Sequence, residues 1–413
     1  MAPSRPDIGL LFAARITRLF AYGFLSVVLA LYLAQVGLDT RGIGLLLSLT
    51  LIGDAVISLW LTTSADRAGR RRTLKLGAVL MMLAGLTFVA TRNPVVLAAA
   101  AIIGVISPSG NEIGPFLSVE QAALTQLVPD RRRTQTFAWY NLVGSFATAL
   151  GALSGGLLAR SLQAQAGWPA LDAYRAVLVG YAIAGGLLFL LFLCLSPAVE
   201  VRPAAVAPAR RTLGLHRSRN VVFRLSALFA LDAFAGALIV QTMMAYWFHV
   251  RFGVDEAVLG SIFFGANILA GISALLAARI AARFGLINTM VFTHLPSNIM
   301  LCLVPLMPNL PLATILLFAR FSISQMDVPT RQSYTMAVVA PDERSAASGV
   351  TAVARSIGAS LSPVLSGLLL TVSLGAPFFL AGSLKIVYDL LLYRSFKTLK
   401  PPEEQEAAGV PAA

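Results

Sequence analysis

Runs of roughly 20 apolar residues recur along the whole 413-residue chain, and each is long enough to cross a hydrocarbon core of about 30 Å as a helix. A chain built this way must satisfy every backbone polar group within its own helices, so the expected fold class is all-α and polytopic in a membrane. Composition agrees: 57% of residues are hydrophobic, only 12% are charged, and the mean hydropathy is +0.78. No ten-residue alternating pattern supports an outer-membrane barrel.

Twelve spans are expected. The first six lie at about 12–35, 43–64, 74–91, 95–128, 134–160 and 173–196, and the second six at about 220–249, 256–280, 286–307, 311–339, 344–371 and 374–396. The stretch 197–219 is rich in Pro, Ala and Arg and reads as a linker, and 397–413 as a disordered tail. The domain reading is therefore 1–196, a linker at 197–219, 220–396, and the tail. Basic residues gather in one set of connections, including Arg67, Arg70, Arg71, Arg72, Arg210, Arg211, Arg283 and Arg344, while the opposite set holds little beyond Arg41, Arg92, Arg160, Arg175 and Arg251. The positive-inside rule then puts both termini and the linker in the cytoplasm of a multi-pass protein of the inner (plasma) membrane. The charge of +13 is thus an orientation signal, and no nucleic-acid partner is implied. The polar N-terminus enters the first span without a signal-peptidase site.

Cys194 and Cys302 each sit in an apolar span, and three scattered histidines give no metal-ligand spacing, so neither a disulfide framework nor a metal site is expected. No cofactor or enzymatic activity is implied, and the absence of a GxxxxGK[ST] loop excludes ATP drive from this chain.

An internal repeat supports two halves. A shift of 211 residues lays Gln121 on Gln332, Val128 on Val339, Arg133 on Arg344, Ser145 on Ser356 and Gly156-Leu157-Leu158 on Gly367-Leu368-Leu369. Two six-helix halves with a site near mid-bilayer are a transporter design. The same shift lays Arg331 on Glu120, which suggests an ion pair between halves. Acids inside spans cost at least about 2.5 to 3.5 kcal/mol at mid-bilayer and are functional candidates by default. Glu120 leads as the proton-coupling residue, with Glu112, Asp54 and Asp232 as rivals.

The tenth span places Arg320, Asp327 and Arg331 on one helical face if it is continuous. That stripe lines a wet cavity with Gln325 or contains a self-sufficient Asp327–Arg331 pair, two readings that do not exclude one another. Arg355 in the eleventh span has no local acid, whereas Lys385 and Asp389 are expected to pair at i,i+4. Asn111, Gln121, Tyr140, Asn141, Gln241 and Tyr246 complete the candidate substrate cavity.

After the second span, TTSADRAGRRRTL (Thr62 to Leu74) resembles the loop motif of the major facilitator superfamily, with Asp66, Arg67, Gly69, Arg70 and Arg71 matching and Thr62 replacing the leading glycine. A degenerate copy, AARIAARFG, retains Arg283 and Gly285. The resemblance implies twelve helices in two pseudo-symmetric six-helix bundles, alternating access, and a cytoplasmic gate at the motif. ALGALSGG, with Gly151, Gly155 and Gly156, resembles the fifth-helix motif of the antiporter branch; its counterpart SPVLSG holds Pro363 and Gly367. The antiporter resemblance favours export, although small residues also serve close helix packing. The fourth-helix arginine of proton-coupled drug exporters is missing, since Asn111 and Glu112 stand there.

The expected function is secondary transport of a small polar or charged solute, proton-coupled and exporting, by a monomer. A proton-driven uptake symporter is the first alternative and a membrane sensor without transport the second.

Overall fold

The computed structural model describes residues 5–110, 116–200, 216–340 and 343–399, and they are helical nearly throughout, with no strand among the described residues. Helices α1 (Arg5–Ser26) and α2 (Leu29–Gln35) form the first span, α3 (Thr40–Ala68) the second and α4 (Arg70–Ala90) the third. The fourth consists of α5 (Pro94–Ile103) and α6 (Phe116–Leu127), followed by α7 (Asp130–Ala164) and α8 (Ala170–Leu193). The later spans are α9 (Arg219–Ala237) with α10 (Gln241–Phe252), α11 (Glu256–Phe284), α12 (Leu286–Leu303), α13 (Leu310–Ser324) with α14 (Asp327–Val338), α15 (Arg344–Ser360) with α16 (Ser362–Val372), and α17 (Ala376–Phe396).

Ten helical stretches among the described residues are long and apolar enough to cross a membrane. The two expected spans that do not qualify as single helices are the fourth and the tenth, because each is broken. Gly104, Pro108 and Gly110 interrupt the fourth, and Gly110 has φ +67°, a region that favours glycine. In the tenth, Gln325 and Met326 separate α13 from α14, and Pro329 falls in the first turn of α14, where its missing N–H costs no hydrogen bond. The continuous Arg320–Asp327–Arg331 stripe is therefore corrected: Arg320 belongs to a different helix from the other two.

By its contacts the chain divides into two compact units, one of Met1–Ala207, Val240–Ile268 and Pro363–Thr371, the other of Pro208–Ile239, Leu269–Ser362 and Val372–Ala413. In the first, α1 packs tightly against α7 because glycines remove the side chains that would keep the backbones apart. A Cβ at Gly151 would stand 2.0 Å from the Phe20 carbonyl oxygen, and one at Gly155 2.1 Å from that of Phe24. Gly156 meets the start of α11 the same way, 2.1 Å from the Glu256 carbonyl oxygen, and Gly44 of α3 approaches Pro363 and Gly367. In the second unit, Leu225, Phe229, Met290, Val291, Tyr334, Tyr388 and Leu392 form an apolar core joining α9, α12, α14 and α17. Outward-facing apolar residues such as Val56, Trp60 and Ile183, each more than 60% exposed, suit lipid surroundings.

Two glutamates tie the connections to helix N-termini, where unsatisfied N–H groups and the helix dipole favour an anion. Glu200 accepts from the amides of Arg70 (2.7 Å) and Arg71 (3.2 Å) at the start of α4. Preceding them, Gly69 has φ +98°, which a side chain would strain. Glu343 accepts from the amides of His216, Arg217 (2.7 Å) and Ser218 (2.8 Å), just before α9. Burial alone would raise the Glu343 pKa, but these N–H donors outweigh it and hold the carboxyl at about 2 instead of 4.5. Because the folded value is lowered, the stabilisation is complete above pH 4.5 and is lost as pH falls toward 2. We expect Glu343→Gln to abolish that acid dependence and to speed amide hydrogen exchange at His216 to Ser218 about tenfold at neutral pH. Unchanged protection in the variant would refute the assignment.

Candidate functional site

Each unit buries a cluster of ionised side chains. In the first, Arg18 on α1 grips Glu120 on α6 with both terminal nitrogens, at 2.7 and 2.9 Å, and neither side chain is exposed. This fork-on-carboxylate geometry is the strong form of the ion pair. The Tyr140 hydroxyl of α7 donates to the second Glu120 oxygen. Arg18 also lies 4.7 Å over the Phe116 ring, while Arg15, one turn back on α1, lies 4.1 Å over the Tyr140 ring and donates to Asn141 at 3.2 Å. Cations over ring faces retain part of the stabilisation that burial removes.

The broken ends of spans also meet in this unit. Ser26 ends α1; its hydroxyl accepts from Gln241 at 2.7 Å and its carbonyl from the Thr242 hydroxyl at 2.9 Å. The Thr242 amide donates to the Pro108 carbonyl in the gap of the fourth span, at 3.1 Å, and Asn267 donates to Gln241 at 3.1 Å. Interrupted helices resatisfied by polar partners in this way are where transporters hold their cargo. At the end of α7, Arg160 pairs with Asp255 at 3.2 Å, and the buried Glu256 accepts from Gln163 (3.1 Å) and Tyr174.

In the second unit, Asp232 on α9 is the hub. Lys385 of α17 lies 2.6 Å from one carboxylate oxygen; Arg331 of α14 (3.1 Å) and Arg355 of α15 (3.2 Å) share the other. Arg331 also reaches Asp327 at 2.8 Å, so the i,i+4 pair exists inside a larger network. Asp389 of α17 is met by His294 (2.8 Å) and Asn298 (2.9 Å) of α12. Arg320 is buried, lies 5.0 Å over the Phe321 ring, and its Nε meets no acceptor among the described residues. With Arg320 of the adjoining α13 included, four cationic side chains (Arg320, Arg331, Arg355, Lys385) accompany three acids (Asp232, Asp327, Asp389) among the described residues, an excess of one positive charge before His294 is counted. Arg355 is the accessible member, with 34% of its side chain exposed.

Two expected pairs are corrected. Lys385 and Asp389 do not satisfy each other: their shared helix sends them to Asp232 and to His294. Nor do Glu120 and Arg331 need one another, since each finds its partners inside its own unit. Gln121, Tyr246, Gln325 and Asp54 are half-buried, and Tyr140, Asn141 and Gln241 join the networks above. Asn111 and Glu112 lie outside the described residues, as do the side chains of Asp66 and Arg67. Within the loop motif, Arg70 donates to Gln126 (3.2 Å) and to the Val199 carbonyl (3.3 Å). Sequence reasoning missed Arg15, Arg18, His294 and Asn298. The signal was present for the arginines: two cations at i,i+3 inside the first apolar span demand a buried partner by the same rule that singled out Glu120.

Comparison with known proteins agrees with this architecture. An uncharacterized membrane protein of Saccharomyces cerevisiae is 31% identical over 417 aligned positions, spanning 94% of this chain and 93% of its own. Among solved structures, a D-xylose–proton symporter superposes with a TM-score of 0.73 at 15% identity, over 94% of this chain and 97% of that one. A human organic anion transporter does so with 0.64 at 16% identity, over 95% and 100%. At such identities the likeness concerns fold alone. A family model described as Major Facilitator Superfamily matches residues 11–363 and 247–412. With a helical membrane fold, interrupted spans joined by polar contacts and the Arg70–Arg71 loop at the start of α4, this match settles the affiliation: the chain belongs to the Major Facilitator Superfamily.

Proposed function

We propose that this protein is a proton-coupled secondary transporter that moves a small anionic or zwitterionic solute by alternating access of its two six-helix halves, 1–196 and 220–396. The observation that carries the substrate class is the positive excess around Asp232, with Arg355 partly exposed. A buried excess cation is costly, and an anionic group on the solute would offset it. Proton coupling is supported by acids held chiefly by cations: a proton on Glu120 or Asp232 competes directly with the arginines, so binding it loosens the cluster. Glu112 and Asp54 remain the alternative carriers. The protein works as a monomer in the plasma membrane with both termini in the cytoplasm, as the distribution of basic residues suggests.

Export is the direction favoured by the Gly151, Gly155 and Gly156 motif. Uptake by symport is a second reading with its own support, since an anion at Arg355 and a proton in the same cluster would bind together and carry less net charge across. The test is transport by purified protein in liposomes under an imposed pH gradient, with a panel of radiolabelled dicarboxylates, amino acids and sugar phosphates. Accumulation beyond equilibrium that collapses with a protonophore supports the proposal. Downhill flux indifferent to the gradient, or binding without flux, counts against it.

A further inference from the structure

The pair Lys385 and Asp389 sits one turn apart on α17, and the geometry of a self-contained ion pair was available to it. Instead the helix directs Lys385 to Asp232 at 2.6 Å and Asp389 to His294 at 2.8 Å. Asp389 is fully buried and His294 is 4% exposed. Asn298 donates to the second Asp389 oxygen at 2.9 Å, and the His294 ring meets the Tyr388 ring edge-on at 6.0 Å. None of these groups takes part in the solute binding proposed at Arg355. An imidazole against a carboxylate in an apolar setting is a place to store a proton, because imidazole is the side chain whose ordinary titration falls between pH 5 and 8.

We propose that His294 and Asp389 form a proton-binding site and that Lys385 reports its occupancy to Asp232. The inference rests on the proton-coupled reading and deepens it. With Nδ1 turned to Asp389, Nε2 is the nitrogen that gains or loses the proton. When a solvent proton is bound, imidazolium and carboxylate neutralise each other, and Lys385 is left to Asp232, the arrangement seen here. When the proton leaves, Asp389 carries a charge that neutral imidazole does not cancel. Lys385, one turn away on the same helix, is then drawn toward it. Asp232 is left with Arg331 and Arg355, and it holds Arg355 more tightly against any incoming anion. Proton occupancy at α12 and α17 is thereby linked to the availability of Arg355 on α15.

The other charged and titratable groups near this path are Asp232 from α9, Asp327 and Arg331 from α14, Arg320 from α13, and Tyr388 beside Asp389. The arginines stay charged throughout, and Asp232 and Asp327 are both held by Arg331, whereas Asp389 is held by a group that can itself gain or lose a proton, His294.

The chain has three histidines and four lysines, which makes selective labelling practical. The experiment is NMR of purified protein in detergent with 15N-labelled histidine and lysine side chains, titrated from pH 5 to 9, with His294→Gln and Lys385→Met identifying the signals. The expected result in the wild type is that the His294 imidazole titrates and the Lys385 ammonium signal moves with the same midpoint. In His294→Gln and in Asp389→Asn the Lys385 signal should no longer follow pH. A Lys385 signal that stays fixed while His294 titrates, or a His294 that does not titrate in this range, would overturn the proposal. The wild-type titration decides the matter even where a variant fails to fold. Liposome assays separate this inference from the reading beneath it. Proton-driven transport that survives unaltered in His294→Gln refutes the His294 site and leaves coupled transport standing. Co-titration of the two signals in a protein that moves no protons supports the site and refutes coupled transport.

Discussion

Asp232→Leu is expected to destabilise the protein by about 3–5 kcal/mol, the usual cost of removing one partner from a buried ion cluster. The carboxylate is 4% exposed and stands against three cations, at 2.6, 3.1 and 3.2 Å. Its loss leaves Lys385 and Arg355 without their described counter-charge, and Arg331 with Asp327 alone. Two oxygens serve three donors here, so no neighbouring acid can replace Asp232 without dismantling its own pair. Adding Lys385→Met should recover a substantial part of the loss, because it removes the cation bound most closely. Thermal unfolding of the purified protein in detergent, with the two single variants and the double, reads the coupling directly. A single variant within about 1 kcal/mol of wild type would mean that the cluster is far better solvated than its burial implies.

Arg18→Leu should cost a similar amount, about 3–5 kcal/mol, for the mirror-image reason. It leaves Glu120 unexposed with only the Tyr140 hydroxyl as a named partner. The instructive comparison is with the double variant, Arg18→Leu together with Glu120→Leu. Replacing both members by apolar residues of suitable volume removes the buried charge altogether, and such replacements are often neutral or stabilising. We therefore expect the double variant to be more stable than either single one while losing pH-coupled transport. If the double variant is as unstable as Arg18→Leu alone, the fork contributes shape to the contact of α1 with α6 and α7, and its role is packing. Arg15 provides an internal comparison: its bond to the exposed Asn141 has an uncharged acceptor and is longer, so Arg15→Leu should cost less.

The span pattern was legible in the sequence because the bilayer imposes a length and a polarity that few other settings require. The broken spans were less so. Pro108, Gly110 and Pro329 were visible, but whether a proline kinks a helix, ends it or sits harmlessly in a first turn depends on which partners take the freed carbonyls. The partner of Glu120 was harder still. Spacing along one helix predicts contacts at i,i+3 and i,i+4, and it correctly joined Asp327 to Arg331. It also joined Lys385 to Asp389, where tertiary partners on α9 and α12 outcompete the local one. Glu120 with Arg18 and Asp232 with Arg355 are separated by more than 100 residues in sequence, and nothing in a helical period reports such pairs. What the sequence did carry was the arithmetic of charge. An apolar chain that places acids and arginines inside its spans must bring them together, and the structure does so at Arg18 with Glu120 and around Asp232.

In the function proposed above, the surplus positive charge around Asp232 serves an anionic solute. The most direct measurement is thermal stability of the purified protein at pH 6 and pH 8 against dicarboxylates, amino acids, sugar phosphates and lipophilic cations, comparing wild type with Arg355→Gln. A ligand at one hundred times its dissociation constant stabilises the native state by about 2.7 kcal/mol, well within reach of such an assay. At least one anionic or zwitterionic solute is expected to stabilise the wild type in a pH-dependent way, and Arg355→Gln is expected to lose the response. Stabilisation by lipophilic cations alone, or an undiminished anion response in Arg355→Gln, would contradict it.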